Sequence, residues 1–363
     1  MTVQDSIPRL DILLYAHDGR GLGHASRTIA IGMAMRRIAP KRRVLFLSGS
    51  EFCRELIGPA PLDWIKLPSY ETVVVQGKSR GVPGKSNFSD AALGLLRSRD
   101  IAHILSTYRP RLVLADHSPR GKHRELLPAL QKSADDDVLW VLGIRGITGE
   151  VGQVQDKDTT ALFTSFYKAL LWYGDADVLG SAQTEALARH YHTAPVECGY
   201  VSRMREYAAC HQQQKKALYA ATVSVPWFGE STPSFLENLY KVLCHTGDRH
   251  GHWMLYLDNR HKSASRFRQL FADLPWVQVK EPGQGYMDSL LRCRCAIIYG
   301  GYNSLVDVIS TGIPALVVIR DMTDGEQEHH VKLLLSAAGG SLLSIGEKCS
   351  LPELVTAVDA LFN

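Results

Sequence analysis

Short apolar runs alternate along the chain with longer stretches in which apolar residues return every three or four positions. The runs predict buried strands at 10–16, 44–48, 72–75, 111–115, 138–143, 177–180 and 195–197, with helices at 25–38, 89–107, 123–132, 158–173 and 183–190 between them. A second series predicts strands at 220–225, 253–257, 276–279, 295–299 and 315–319, with helices at 232–246, 262–272, 286–292, 303–311, 327–338 and 351–361. Strands that alternate strictly with helices are joined by crossovers, so both sheets should be parallel and covered on both faces. The pattern lapses at 198–215. This predicts an α/β protein of two Rossmann-like domains, 1–197 and 216–363, facing each other across a cleft, with a last helix free to pack back on the first domain.

The densest chemistry lies between Ile298 and Gln327. A strand ending at Tyr299 runs into Gly300 and Gly301, and a helix opens at about Asn303 or Ser304, so unpaired backbone N–H groups converge at the turn and attract phosphate. Two adjacent glycines let a diphosphate approach the main chain, and the helix dipole adds partial positive charge, with no metal required. Asp307 follows on that helix, where a carboxylate can accept hydrogen bonds from both hydroxyls of a ribose. Glu326 and Gln327 follow the next strand, at the sheet edge where parallel sheets bind ligands.

Near the amino terminus the strand ending at Ala16 leads into His17-Asp18-Gly19-Arg20-Gly21-Leu22-Gly23-His24 and then a helix. A nicotinamide site would need an acidic residue after the second strand, where Ser48-Gly49-Ser50 stands instead. Imidazole titrates near neutrality, so His24 is either a general base toward an acceptor hydroxyl or a residue that positions the loop or a phosphate; His17 is a less specific candidate. A third strand delivers Asp116 and His117 to its carboxyl end, followed by Arg120, Lys122 and Arg124. Asp116 would act as the base itself or orient His24, and His17, His117 and Arg120 would meet the acceptor.

Residues 296–340 resemble the donor-binding region of glycosyltransferase family 28, typified by the N-acetylglucosaminyltransferase that completes the lipid-linked peptidoglycan precursor. That family places an acidic residue five positions before the Gly of a G-x-P-A run, as Asp307 precedes Gly312-Ile313-Pro314-Ala315 here, and a polar pair follows at the position of Glu326 and Gln327, with Asp324 two residues before. Gly19 to His24 is similar to the family's amino-terminal G-x-G-x-G-H element. The resemblance implies a GT-B fold and an inverting, metal-independent transferase that moves a sugar from a UDP- or TDP-sugar to a hydroxyl of a small-molecule or lipid-linked acceptor, with no cofactor. It implies diphosphate contacts at Gly21, Gly23, Gly300, Gly301, Asn303 and Ser304, a ribose contact at Asp307, and sugar contacts at Asp324, Glu326 and Gln327. The family more often shows Glu for the ribose and Gln-Gln or Asp-Gln for the sugar, so the donor's identity is not legible. Relatives carry a Gly-rich loop where Pro226 to Ser231 stands here; Gly229 and Ser231 would supply its amides, and Trp227 and Phe228 would pack in the core, line an apolar acceptor or stack on a base. Nucleotide-sugar 2-epimerases share this architecture, and a non-catalytic sugar-nucleotide sensor would bind the same donor.

Composition narrows the class. The 363 residues are 45% hydrophobic and 21% charged with a net charge of +4, as in soluble globular proteins, and no basic run is interleaved with aromatics as nucleic-acid binding would require. Seven cysteines without C-x-x-C spacing imply neither a disulfide framework nor a zinc site. The amino terminus lacks the build of a signal peptide and no apolar run is long enough to span a bilayer, so a cytoplasmic monomer or homodimer is expected. Peripheral membrane contact stays open through the cluster Arg36, Arg37, Lys41, Arg42 and Arg43. Residues 68–89, rich in glycine and basic side chains, read as a mobile acceptor-side loop.

Overall fold

The computed structural model describes residues 7–17, 22–75, 78–82, 86–134, 136–147, 156–211, 217–258, 261–320, 326–337 and 341–363. The chain divides into two compact units, Met1–Arg203 and Met204–Asn363. The first contains β1 (Ile12–Tyr15), α1 (Gly23–Ile38), β2 (Val44–Ser48), α2 (Cys53–Ile57), β3 (Asp63–Lys66), β4 (Glu71–Val75), β5 (Lys78–Val82), α3 (Asp90–Tyr108), β6 (Leu112–Asp116), α4 (Leu127–Lys132), β7 (Leu139–Arg145), α5 (Lys157–Phe166), β8 (Tyr167–Tyr173), α6 (Ala176–Leu179), α7 (Ala182–Tyr191) and β9 (Val196–Glu197). Its parallel sheet has the order β3-β2-β1-β6-β7-β8-β9, which reverses direction between β1 and β6. Such a switch point leaves a crevice beyond the carboxyl ends of the two strands.

Period-two alternation builds a core on each face of this sheet. Leu13, Tyr15, Val113 and Ala115 point to one side with Leu126 and Leu130, while Leu14, Phe46 and Leu114 meet Ala25, Ile29 and Met33 of α1 on the other. Each large apolar side chain so buried contributes about 1.5–3 kcal/mol. Packing is closest at Gly143, where a Cβ would come within 2.0 Å of the Tyr173 hydroxyl. Gly143→Ala is therefore expected to destabilise the protein by about 2–3 kcal/mol, measurable as a lower urea midpoint; an unchanged midpoint would show that Tyr173 can yield.

Three expectations are corrected in this unit. The helix expected at 158–173 ends at Phe166, and Tyr167–Tyr173 is a strand between β7 and β9. Its apolar run fits both periodicities, and pairing on both sides decides for the strand. The strand expected at 177–180 is instead helix α6, capped by Asp175, whose carboxylate accepts from the Asp177 amide. Within 68–89, read as a loop apart from the strand expected at 72–75, that strand is present as β4 and pairs antiparallel with a second, β5. The basic cluster after α1 is engaged locally: Arg36 donates to the carbonyls of Pro40, Arg42 and Pro61, and Arg42 and Arg43 flank Asp11.

The second unit contains α8 (Arg203–His211), which spans the division, then β10 (Tyr219–Val225), α9 (Thr232–Thr246), β11 (Trp253–Leu257), α10 (Ala264–Ala272), β12 (Val277–Lys280), α11 (Gln284–Leu291), β13 (Cys293–Tyr299), α12 (Tyr302–Thr311), β14 (Ala315–Ile319), α13 (Glu326–Ala337), β15 (Leu342–Gly346) and α14 (Leu351–Phe362). The stretch read as a join thus holds a helix, with Met204, Glu206 and Tyr207 buried. The sheet is again parallel, in the order β12-β11-β10-β13-β14-β15, and its switch point lies between β10 and β13. Leu354 and Val358 seat α14 on the same core as α9 and α10, within this unit. Among the described residues no helix is long and apolar enough to cross a membrane.

Candidate functional site

At the first switch point, β1 and β6 run side by side and pair Tyr15 with Ala115, so His17 and the Asp116-His117 pair emerge together at the carboxyl edge. Helix α1 opens over them and places His24 and Arg27, three residues apart, on one face. Asp116 receives both side chains. His24 Nδ1 lies 2.5 Å from Oδ2, and Arg27 donates from Nε and Nη2 to Oδ1 at 3.0 and 2.7 Å and from Nη2 to Oδ2 at 2.8 Å. Arg27 is buried, over the ring of Tyr173 at 5.7 Å. The rings of His17 and His117 lie 4.1 and 5.0 Å from that of His24.

This arrangement separates the protonation states. Burial alone would raise the Asp116 pKa, but the Arg27 guanidinium and the His24 bond outweigh it and hold the carboxyl well below the usual carboxylate range. Burial and the neighbouring His17 push His24 down to about 4, against the pull of Asp116. An ionised Asp116 facing Nδ1 requires the proton on that nitrogen, which leaves the lone pair of Nε2 free to accept one. Burial, with His24 and His17 adding, also takes His117 well below its ordinary value. His117 stands in the left-handed region (φ 74°), donates its amide to the Gly143 carbonyl at 2.7 Å, and has a buried Nδ1 with no partner among the described residues. A non-glycine residue in that conformation stores strain of the kind found at functional sites.

The loop beyond His117 is anchored by a buried ion pair. Glu125 accepts from Arg97 Nε and Nη2 at 2.6 and 2.9 Å, from the Tyr70 hydroxyl at 3.0 Å and from the Tyr15 hydroxyl. Gly121, at φ +68°, makes the turn, and a Cβ there would lie 2.9 Å from both Leu126 and the Tyr15 hydroxyl. Arg120 departs from expectation: it pairs with Asp156 at 2.9 Å, tying the loop to the start of α5. Its guanidinium is already committed, because a carboxylate distant in sequence folds beside it. Gly23 is the first residue of α1, and Gly21 lies outside the described residues.

At the second switch point the glycine corner is present, but its donors are redistributed. Gly300 gives its amide to the Val318 carbonyl at 3.1 Å and Gly301 gives its own to Tyr299 at 2.8 Å, so neither glycine offers an N–H. The first helical bond of α12 runs from Leu305 to Gly301, which leaves the Asn303 and Ser304 amides without partners among the described residues. A Cβ on Gly301 would meet nothing within 4 Å, so the approach is open. Gly229 is likewise corrected: its amide goes to Thr232 Oγ1 at 2.8 Å. Ser231 precedes α9, with its carbonyl accepting from Phe235.

Asp307 is 2% exposed among the buried Val306 and Val308, so its carboxylate does not face solvent as a ribose contact would suggest. Spacing places it on α12 but does not say which face is covered. Glu326 and Gln327 form the first turn of α13, and Asp324 lies outside the described residues.

A polar network near this corner was not anticipated. Arg320, just past β14, lies between the rings of Trp227 and Tyr299, 3.6 and 3.9 Å from their centroids, and donates to the Trp227 carbonyl at 2.5 Å. Glu347, just past β15, accepts from Thr232 Oγ1 at 2.5 Å, the Tyr299 hydroxyl at 2.9 Å and Arg320 Nε at 3.3 Å. Phe228 stacks on His261 with ring centroids 4.8 Å apart and packs against the core. The signal available for Arg320 and Glu347 was a charged residue directly after an apolar strand, at the ligand-binding edge of a parallel sheet. Among the described residues no group of three or more His, Cys, Asp or Glu is arranged to hold a metal ion.

No family model matches the sequence, and no curated protein matches it. Solved structures share its architecture across nearly the whole chain. MurG from Acinetobacter baumannii is similar with a TM-score of 0.54 at 14% identity, over 98% of this chain and 91% of that one. A UDP-GlcNAc 2-epimerase from Neisseria meningitidis, bound to UDP-GlcNAc, gives 0.56 at 10% identity over 97% and 91%. The glycosyltransferase SnogD from Streptomyces nogalater gives 0.51 at 14% identity over 98% and 95%. At such identities the likeness concerns the fold alone. With two parallel α/β sheets flanked by helices, the chain has the GT-B fold, built from two Rossmann-like domains and shared by glycosyltransferases and UDP-sugar 2-epimerases.

Proposed function

We propose that the protein is a glycosyltransferase that moves a sugar from a nucleoside diphosphate sugar to an acceptor hydroxyl with inversion and without a metal. The observation that carries this reading is the Arg27-Asp116-His24 relay at the first switch point. Asp116, kept ionised by Arg27, fixes the His24 tautomer, and His24 Nε2 takes the acceptor proton as that oxygen attacks the anomeric carbon. The bond from the anomeric carbon to the diphosphate breaks, and the diphosphate leaves with the electron pair. Its charge is met by the Asn303 and Ser304 amides and the positive end of α12. His17 and His117 flank His24 and contact the acceptor, while Asp324, Glu326 and Gln327 hold the sugar. The ribose contact by Asp307 forms on binding, since its side chain is covered in this structure. A UDP-sugar 2-epimerase would share the donor grip but use no acceptor.

Thermal unfolding in the presence of UDP- and TDP-sugars tests the donor reading. A ligand at a hundred times its dissociation constant stabilises by about 2.7 kcal/mol, so a clear rise in melting temperature is expected with at least one of them and should survive EDTA. Absence of any rise, or its loss in EDTA, would overturn the proposal. Release of UDP and free sugar from donor alone would favour the epimerase.

A further inference from the structure

Trp227 is 36% exposed although a buried, charged network is built around its loop. Arg320 and Glu347 are 6% and 6% exposed, and ions so removed from water are costly unless their bonds compensate. Their bonds converge on one object. Arg320 covers one side of the indole and holds the carbonyl of the same residue, while Glu347 holds Thr232, whose hydroxyl oxygen in turn holds the Gly229 amide. Tyr299 closes the far side of the guanidinium. The outcome is an aromatic surface mounted rigidly at the carboxyl edge of the sheet. A large amphipathic ring that loses little conformational entropy on contact is the kind of group used for recognition.

The topology says which part of a ligand lies there. Helices α9 and α12 follow strands on either side of the switch point, and right-handed crossovers send them to opposite faces of the sheet. Helix α9 accordingly shares its core with α10 and α14. Arg320 directly follows β14, the strand that leads to Glu326 and Gln327, and Trp227 stacks on it, so the indole stands at the carboxyl end of the strand whose following residues hold the sugar in the donor reading. Resting on the donor reading above, we propose that the Trp227 indole is the surface on which the apolar face of the transferred sugar packs, and that Arg320 and Glu347 are positioning residues that hold it.

Calorimetric titration of the full chain with UDP and with UDP-GlcNAc tests this. Trp227→Ala should weaken UDP-GlcNAc by roughly tenfold and leave UDP within twofold. Trp227→Phe, which keeps a ring and the fold, should lose less, and Glu347→Gln should loosen the mount and fall between wild type and Trp227→Ala for UDP-GlcNAc only. Equal losses for both ligands, or none for either, would overturn the inference while leaving the donor reading intact. Failure of the wild-type protein to bind these two ligands and the corresponding TDP and TDP-sugars would remove the donor reading and this inference with it.

Discussion

His24→Gln is expected to lower turnover of the sugar nucleotide by roughly a thousandfold while leaving donor binding within a few-fold. Glutamine can still donate to Asp116 Oδ2, so the relay stays occupied, but its amide cannot accept a proton as the imidazole does. UDP release with donor and a hydroxyl acceptor both saturating is the rate to follow, with calorimetric binding of UDP as the control. The pH dependence has a definite sign. With its pKa lowered to about 4, His24 is neutral throughout the physiological range, so the wild-type rate should be flat there and fall only as the pH drops toward 4. The same shift affects stability. Between the ordinary value of 6.5 and about 4 the unfolded chain binds the proton and the folded chain does not, so this contribution is complete above about 6.5 and is lost as the pH falls through that window. A His24→Gln protein that turns over at the wild-type rate would exclude His24 as the base.

Glu125→Gln is expected to destabilise the protein by about 3–5 kcal/mol in urea unfolding. Both members of the Arg97 pair are 0% exposed, so removing the carboxylate's charge strands a cation where water does not reach. The glutamine also turns an amide donor toward at least one of four groups that now donate to Glu125. The double variant Arg97→Met/Glu125→Leu should recover much of the loss, because the cost lies in the unpaired charge more than in the missing bond. A single-variant loss below about 1 kcal/mol would mean that the cluster is wetter than its burial indicates. Since Glu125 anchors the loop that carries His117, the surviving folded fraction should also show reduced turnover.

Much of the fold was legible because it depends on local pattern. The strands Val44–Ser48, Trp253–Leu257 and Ala315–Ile319 are apolar but for the terminal Ser48 and lie inside parallel sheets, where both faces are covered. Tyr167–Tyr173 was not legible, since a run apolar at most positions suits either a helix or a strand until its neighbours pair with it. The short β15 and the strand β3, half polar at the sheet edge, carry too weak a pattern to be separated from loops.

The candidate site divides in the same way. That His24, Asp116, Gly301 and Asn303 sit at strand ends or helix starts, and Asp307 one turn into α12, follows from spacing along the chain, because strand, turn and helix are neighbours in sequence. That Arg27 completes the relay, Arg120 is taken by Asp156, Gly229 gives its amide to Thr232, and Arg320 joins Trp227 to Glu347 depends on partners brought together across the sheets. A hydrogen bond is decided within a few tenths of an ångström, and no one-dimensional pattern carries that information. Alternating polarity therefore states where the chain can place chemical groups, whereas packing assigns donors and charges to their partners and, among the described residues, leaves the Asn303 and Ser304 amides without one.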